Sequence, residues 1–207
     1  MKSKLYYIHD PMCSWCYAFK KDYDKLKKKL PANIELVNIV GGLAKDTDEP
    51  MPKDMQEKIA SIWHEIEKMT GAKFNYDFWK KCKPRRATYL ACKAVLCAKE
   101  QNRENEMIDA IQEAYYQKAQ NPSDEETLVS LAKDLNLDMT IFQSDLKSEK
   151  IEKLFQSDLE KRRELKVFSF PSLVLQYKKE LYPINIKYND VNKILKQIEN
   201  LSSNVYF

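Results

Sequence analysis

The chain has 207 residues, enough for one large domain or two small ones. Hydrophobic residues make up 43% and charged residues 32%, a globular balance that argues against disorder. The net charge of +4 comes without a dedicated basic block, and the three glycines form no Gly-x-Gly-x-x-Gly or phosphate loop, so nucleic acid, a membrane surface and motif-based nucleotide binding fall away.

Met1 to Lys4 lead directly into a strand-like run, Lys4 to His9, rich in aromatic and branched residues. No apolar stretch long enough for a leader or a membrane span precedes the first cysteine, so the expected compartment is the cytoplasm, where thiols stay reduced. Pro11 disfavours a helical Asp10 and turns the chain. A helix then begins near Cys13 or Ser14, with Tyr17, Phe19, Tyr23, Leu26 and Leu30 as its apolar stripe and Pro31 as its stop. Lys20, Lys21, Lys25, Lys27, Lys28 and Lys29 read as its solvated face because Asp22 and Asp24 interrupt them. Ile34 to Val40 is a second strand, closed by Gly41-Gly42.

After a proline-containing loop from Thr47 to Pro52, the strand signal vanishes as far as Leu165. Met55, Ile59, Ile62, Trp63, Ile66 and Met69 recur at helical spacing, with Gly71 placed to end that helix. Pro84 is expected to open the next, whose face is Ala87, Leu90, Ala91, Ala94, Val95 and Ala98. Met107, Ile108, Ile111, Ala114 and Tyr115 mark a third. Ser123 followed by Glu126 has the capping-box pattern and starts a fourth. Shorter helical patterns span Ile141 to Leu146 and Ile151 to Leu165. Strands return at Leu173 to Tyr177 and Leu181 to Ile184 around the turn Lys178-Lys179-Glu180, and Pro183 assigns the second of them to an edge. Asp190 can cap a last helix through Val191, Ile194, Leu195 and Ile198, and the tail from Ser202 is expected to fray. The outline is α/β: a thioredoxin fold split by a large all-helical insertion. The expected division is a discontinuous thioredoxin-like unit, 1–52 and 167–207, and a helical insertion, 53–166.

The chemistry concentrates in Asp10-Pro11-Met12-Cys13-Ser14-Trp15-Cys16-Tyr17. A thiolate is the reactive form of cysteine, and free N–H groups and the helix dipole stabilise it at a helix N-terminus. Cys13 falls there, and Cys16 returns one turn later within reach of its sulfur. Two small core cysteines, or half of a zinc site, are the alternatives. Zinc wants four ligands, however, and no second Cys-x-x-Cys exists. The βαβ setting favours the redox pair.

Asp10 to Phe19 resembles the active-site motif of the DsbA family, in particular its cytoplasmic FrnE-like group of protein-disulfide isomerases. Gly41-Gly42-Leu43-Ala44-Lys45-Asp46-Thr47-Asp48-Glu49-Pro50-Met51-Pro52 resembles the segment after that group's second strand, and Phe170-Pro171-Ser172-Leu173-Val174-Leu175 resembles its cis-proline loop. The resemblance implies a DsbA-like fold, a cis Pro171 beside Cys13, and a residue 170 backbone offered to an extended substrate. Met12, Trp15 and Phe170 would supply apolar substrate-binding walls, although each also suits an ordinary core. The Ser14-Trp15 dipeptide carries no cation, so the thiolate would rest mainly on the helix terminus.

The other three cysteines read differently. Cys92 and Cys97 share a spacing with a second pair found in some FrnE-like proteins. On a helix, though, their Cα atoms would lie about 8.7 Å apart, beyond the roughly 7 Å limit for a disulfide. A core role is the better reading for both, Cys82 is an incidental thiol, and His64 is structural. The function expected is a thiol–disulfide oxidoreductase, reductase or isomerase, with Cys13, Cys16 and Pro171 as its catalytic set. It would need no metal or organic cofactor beyond the thiol pair, with glutathione a candidate co-substrate. Its expected partners are disulfide- or thiol-containing proteins and a recycling reductant. The alternatives are a glutathione-dependent transferase or isomerase of the kappa-class type, and a non-enzymatic peptide-binding or adaptor module.

Overall fold

A computed structural model describes residues 3–203. Four strands form one sheet: β1 (Ser3–His9), β2 (Ile34–Val40), β3 (Ser172–Tyr177) and β4 (Glu180–Ile184), in the order β2-β1-β3-β4. The crossover helix α1 (Ser14–Lys29) makes β1 and β2 parallel, whereas β3 runs antiparallel to β1 and β4 to β3. Pro183 lies opposite Val174 on the edge strand, where its missing N–H breaks no ladder.

Strand alternation sorts β1 between two cores. Leu5 and Tyr7 face Phe19, Tyr23 and Leu26 of α1 and Ile194 and Ile198 of α9 (Val191–Ser203). Tyr6 and Ile8 face the other way, against Ile39, Val174, Leu165 and Val167. Between β2 and β3 lie α2 (Lys53–Thr70), α3 (Phe78–Lys81), α4 (Tyr89–Glu100), α5 (Glu104–Tyr116), α6 (Glu125–Asp134), α7 (Met139–Leu146) and α8 (Glu149–Glu164). Small residues on α4, including Ala91, Ala94 and Ala98, are fully buried and let α5, α7 and α8 approach it closely. The core of this helical block also takes in Met12 and Val40, so it is continuous with the sheet's own ends.

The local signals for α2 hold: Gly71 ends it in the left-handed region, φ 76°, donating its N–H to the Glu67 carbonyl. Three expectations give way. Pro84 does not open α4, which begins at Tyr89, because Thr88 turns its hydroxyl to Asp10 and its N–H to the Ala44 carbonyl. Ser123 does not cap α6; Asp124 occupies that place, and Ser123 donates its hydroxyl to the Ala87 carbonyl instead. The hairpin turn is shorter than expected, Lys178-Lys179 alone, with Lys178 at φ 55°. Asp190 does accept from the Lys193 N–H at the start of α9, as a cap should. That helix continues through Ser203, and the rest of the tail expected to fray, 204–207, lies outside the described residues.

Candidate active site

Cys13 is the N-cap residue of α1, with extended φ and ψ of −86° and 120°, and its N–H is held by the Asp10 carbonyl at 3.0 Å. The first turn of α1 carries no acidic side chain and the last carries Lys27, Lys28 and Lys29. The helix therefore presents an uncompensated positive end to the Cys13 sulfur, while its basic end complements the opposite pole. Cys13 Sγ donates to the Phe170 carbonyl at 3.5 Å, and the Phe170–Pro171 peptide bond is cis.

Cys16 lies one turn deeper and is fully buried. Burial pushes its thiol well up, reinforced by its hydrogen bond with Cys13 and their mutual repulsion as anions, while the Asp10 backbone N–H works in the opposite direction. One thiol is thus placed at an opening and the other beneath it, protected until the first has reacted.

The opening is a cleft of about 340 Å³. Met12, Cys13 and Trp15 form one wall, with Phe168 and Phe170 from the loop before β3. Ile59, Trp63 and Tyr115 of the helical block face them, and Arg85 and Arg86 supply the positive charge. Arg85 is tied to Asp124 and to the Ser123 carbonyl, whereas Arg86 is exposed. Phe168 is 84% exposed, which sets it apart from the other aromatic residues here. Gly41 makes room for the Phe170 ring: a Cβ there would meet ring atoms at 2.2 Å and 2.3 Å. Arg162 covers the same ring and donates to the Gly41 carbonyl at 2.7 Å.

Several residues that hold the site carried no role in the sequence reading. Asp10 is fully buried, and its carboxylate accepts from the Met12 N–H at 2.8 Å, the Leu43 N–H at 2.7 Å and the Thr88 hydroxyl at 2.8 Å. Burial raises its pKa against the pull of those donors. Tyr116, also buried, donates to the Met12 carbonyl at 2.7 Å, and Tyr188 donates to the Trp15 carbonyl at 3.3 Å. The Asp10-Pro11 step before the cysteines was visible, but partners 78 and 104 residues away were not.

Cys92 is fully buried on α4, and its thiol donates to Asp10 Oδ2 at 3.5 Å, so it supports the site's anchor from behind. Cys97 is buried on the same helix, its thiol pushed up to about 12 chiefly by burial. Cys82 is half-buried and donates to the Ala119 carbonyl at 3.0 Å. His64 is exposed, stacks on Tyr76 at 4.4 Å and does not line the cleft. Among the described residues no cluster of His, Cys, Asp and Glu could hold a metal ion, and no helix is long and apolar enough to cross a membrane.

A split sheet carrying a Cys-x-x-Cys helix and a cis-proline loop defines a thioredoxin-like protein. The family model for thioredoxin matches residues 6–197, and the chain belongs to that family. Its fold is the DsbA-like form. It superposes with a TM-score of 0.83 on a candidate protein disulfide isomerase from Nitrosomonas europaea, which is 23% identical, over 99% of this chain and all of that one. With the cytosolic disulfide reductase DsbM from Pseudomonas aeruginosa the TM-score is 0.78 at 19% identity, over 96% of this chain and 99% of that one. Among curated sequences it is similar to the ClpXP adapter protein SpxH of Bacillus subtilis strain 168, 25% identical over 173 residues. That match takes in 82% of this chain, which spans only 57% of the relative's length.

Proposed function

We propose that this protein is a thiol–disulfide oxidoreductase acting as a reductase or isomerase in a reducing compartment. The observation that carries the reading is the stacking of three parts: Cys13 at a helix terminus and cleft wall, Cys16 buried beneath it, and the Phe170 carbonyl 3.5 Å from the Cys13 sulfur. Cys13 thiolate attacks a substrate disulfide, forming a mixed disulfide and releasing one substrate thiol. Cys16 thiolate then attacks the Cys13 sulfur, closing the Cys13–Cys16 bond and releasing the second. Two electrons pass from the pair to the substrate, and a dithiol reductant returns them. The Ser14-Trp15 dipeptide between the cysteines carries no cation, and a buried carboxylate, Asp10, lies close to Cys16. The carboxylate disfavours the Cys16 thiolate, which supports a reducing rather than a strongly oxidising pair.

Met12, Trp15 and Phe170 would hold the apolar part of a substrate, and the Phe170 backbone would pair with an extended segment of it. Arg85 and Arg86 suit a carboxylate-bearing partner such as glutathione. A structure of DsbM contains that thiol, and it has a TM-score of 0.75 to this chain. Cys13→Ser should abolish reduction of a model protein disulfide, and Cys16→Ser should accumulate mixed disulfides visible by non-reducing electrophoresis and mass spectrometry. Unchanged turnover by Cys13→Ser sinks the reading.

A second reading has its own support, since the similar curated sequences carry the name of an adapter protein. In that case the cleft would hold a partner segment without exchange chemistry. Partner binding that survives in a Cys13→Ser/Cys16→Ser double variant would favour it. The glutathione-dependent isomerase alternative is weaker. A 2-hydroxychromene-2-carboxylate isomerase does share the fold, with a TM-score of 0.66, but the buried second thiol at Cys16 has no use in conjugation or isomerisation.

A further inference from the structure

Cys16 can act as a nucleophile only after losing a proton, yet it is fully buried and lies on the inner side of α1, away from the cleft that would receive substrate. Cys16 does not line the substrate cleft, and only Cys13 stands between the two. Behind it is a second cavity of about 20 Å³, room for one water molecule. Its buried lining is Cys16, Tyr7, Tyr23, Ile108 and Gln112, and its outer lining is the charged group of Lys20, Asp24, Lys27 and Asp109. Gln112, on α5, is only 3% exposed, and its Oε1 is buried with no hydrogen-bond partner among the described residues. A buried amide oxygen without a donor is costly, and a single water that donates to it removes the cost.

We propose that this cavity is the proton exit for Cys16, and that Gln112 is the positioning residue that holds the water which carries the proton. The inference rests on the oxidoreductase reading and concerns only its second step. Cys16–SH gives its proton to the water, which passes it outward to the carboxylate of Asp109 and so to solvent. The Cys16 thiolate attacks the Cys13 sulfur, the bond between Cys13 and the substrate sulfur breaks, and the departing thiolate takes up a proton in the cleft. The sum is Cys16–SH plus the mixed disulfide giving the Cys13–Cys16 disulfide plus substrate thiol, with no further reagent. Lys20 bridges the two rim carboxylates, 2.8 Å from Asp24 and 3.1 Å from Asp109, and holds them at the mouth.

The groups facing Cys16 from the surrounding elements are Tyr7 on β1, Asp10 and Cys13 on the loop, and Tyr188 before α9. Among them Asp10 is the one carboxylate, and its oxygens are already engaged by Met12, Leu43 and Thr88. Tyr7 is buried with its hydroxyl pushed well up by burial; it hydrogen-bonds Cys16 and lines the same cavity.

The test is the reaction of the reduced protein with the aromatic disulfide 5,5′-dithiobis(2-nitrobenzoate), in a Cys82→Ser background that removes the half-buried thiol. A first release of chromophore reports Cys13 attack and scales with reagent. A second, independent of reagent, reports resolution by Cys16. Gln112→Leu should leave the first phase unchanged and slow the second about a hundredfold, the scale of a lost proton-transfer partner. It should also move the second phase's pH profile to higher pH. Gln112→Glu, which keeps an acceptor oxygen in place, should restore the second phase. A Gln112→Leu protein with the parent's second phase overturns the proposal. So does a first phase slowed equally, which would assign Gln112 to folding, or a Gln112→Glu protein as slow as Gln112→Leu. Absence of a second phase in the parent would instead overturn the oxidoreductase reading.

Discussion

At the scale of single residues, His9 makes folding stability sensitive to acid. It is fully buried at the end of β1, stacked on Tyr7 at 4.9 Å, and neither ring nitrogen has a partner among the described residues. Burial foremost, with Lys99 adding repulsion, lowers its pKa to about 3. The unfolded chain binds a proton there from about pH 6.5 downward, while the folded chain refuses it, so folding stability falls as pH drops through that window. The full loss is roughly 5 kcal/mol by linkage. Asp158 opposes it over part of the range: its carboxyl is raised to about 6 by burial, so the folded state gains stability as it protonates. Where both groups titrate their slopes oppose each other, so the histidine's contribution is read from the difference between parent and a variant that lacks it. His9→Phe keeps the stacked ring and removes the titration. Urea midpoints of parent and variant should therefore diverge steadily from about pH 7 to about pH 4, the variant being the more resistant. Parallel pH dependences would refute this assignment.

At the scale of elements, the site depends on how closely the β2–α2 loop and the loop before β3 approach. Gly41→Ala would drive a methyl group into the Phe170 ring, which Arg162 covers from outside. The ring must swing, carrying with it the carbonyl that faces Cys13. The expected cost is about 1–2 kcal/mol of stability, with slower Cys13 exchange. Phe170→Leu in the same chain should recover much of the stability but not the wild-type exchange rate, so a double-mutant cycle measures the coupling. Strictly additive effects would show that the two loops do not depend on each other.

The same loops mark where sequence was informative. Strand β2 was legible to the residue because apolar periodicity and Gly41-Gly42 bound it locally. The cysteine helix, Gly71 and the edge role of Pro183 were also local. The start of α4 and the cap of α6 were not, because Thr88 and Ser123 spend their hydroxyls on Asp10 and on the Ala87 carbonyl rather than on helix ends. A four-residue helix such as α3 is too short to show a period. Of the candidate site, Cys13, Cys16 and the Phe170–Pro171 loop were readable as motifs. Asp10 was visible only as part of the motif, and Gln112 and Tyr116 act through neighbours distant in sequence and left no local mark.

At the scale of the whole molecule, Asp10 joins the two parts that the chain order separates. Its carboxylate holds the β1–α1 loop through Met12, the β2–α2 loop through Leu43 and the entrance of α4 through Thr88 and Cys92. Tyr116 of α5 adds a bond to the same loop, and Met12 and Val40 sit within the helical core. A helical block merely appended to the sheet would not share core residues with it, so the two should unfold as one cooperative unit. Asp10→Ala leaves the Met12 and Leu43 N–H groups and the Cys92 thiol without their acceptor and should cost about 3–5 kcal/mol. Asp10→Asn keeps an acceptor oxygen and should cost less. Hydrogen exchange locates the loss: protection at Leu5 and Ile8 of β1 and at Val95 and Leu96 of α4 should fall by the same free energy in Asp10→Ala. A fall confined to β1, with α4 still protected, would mean that the helical block is stable by itself and that Asp10 anchors only the thiol loop.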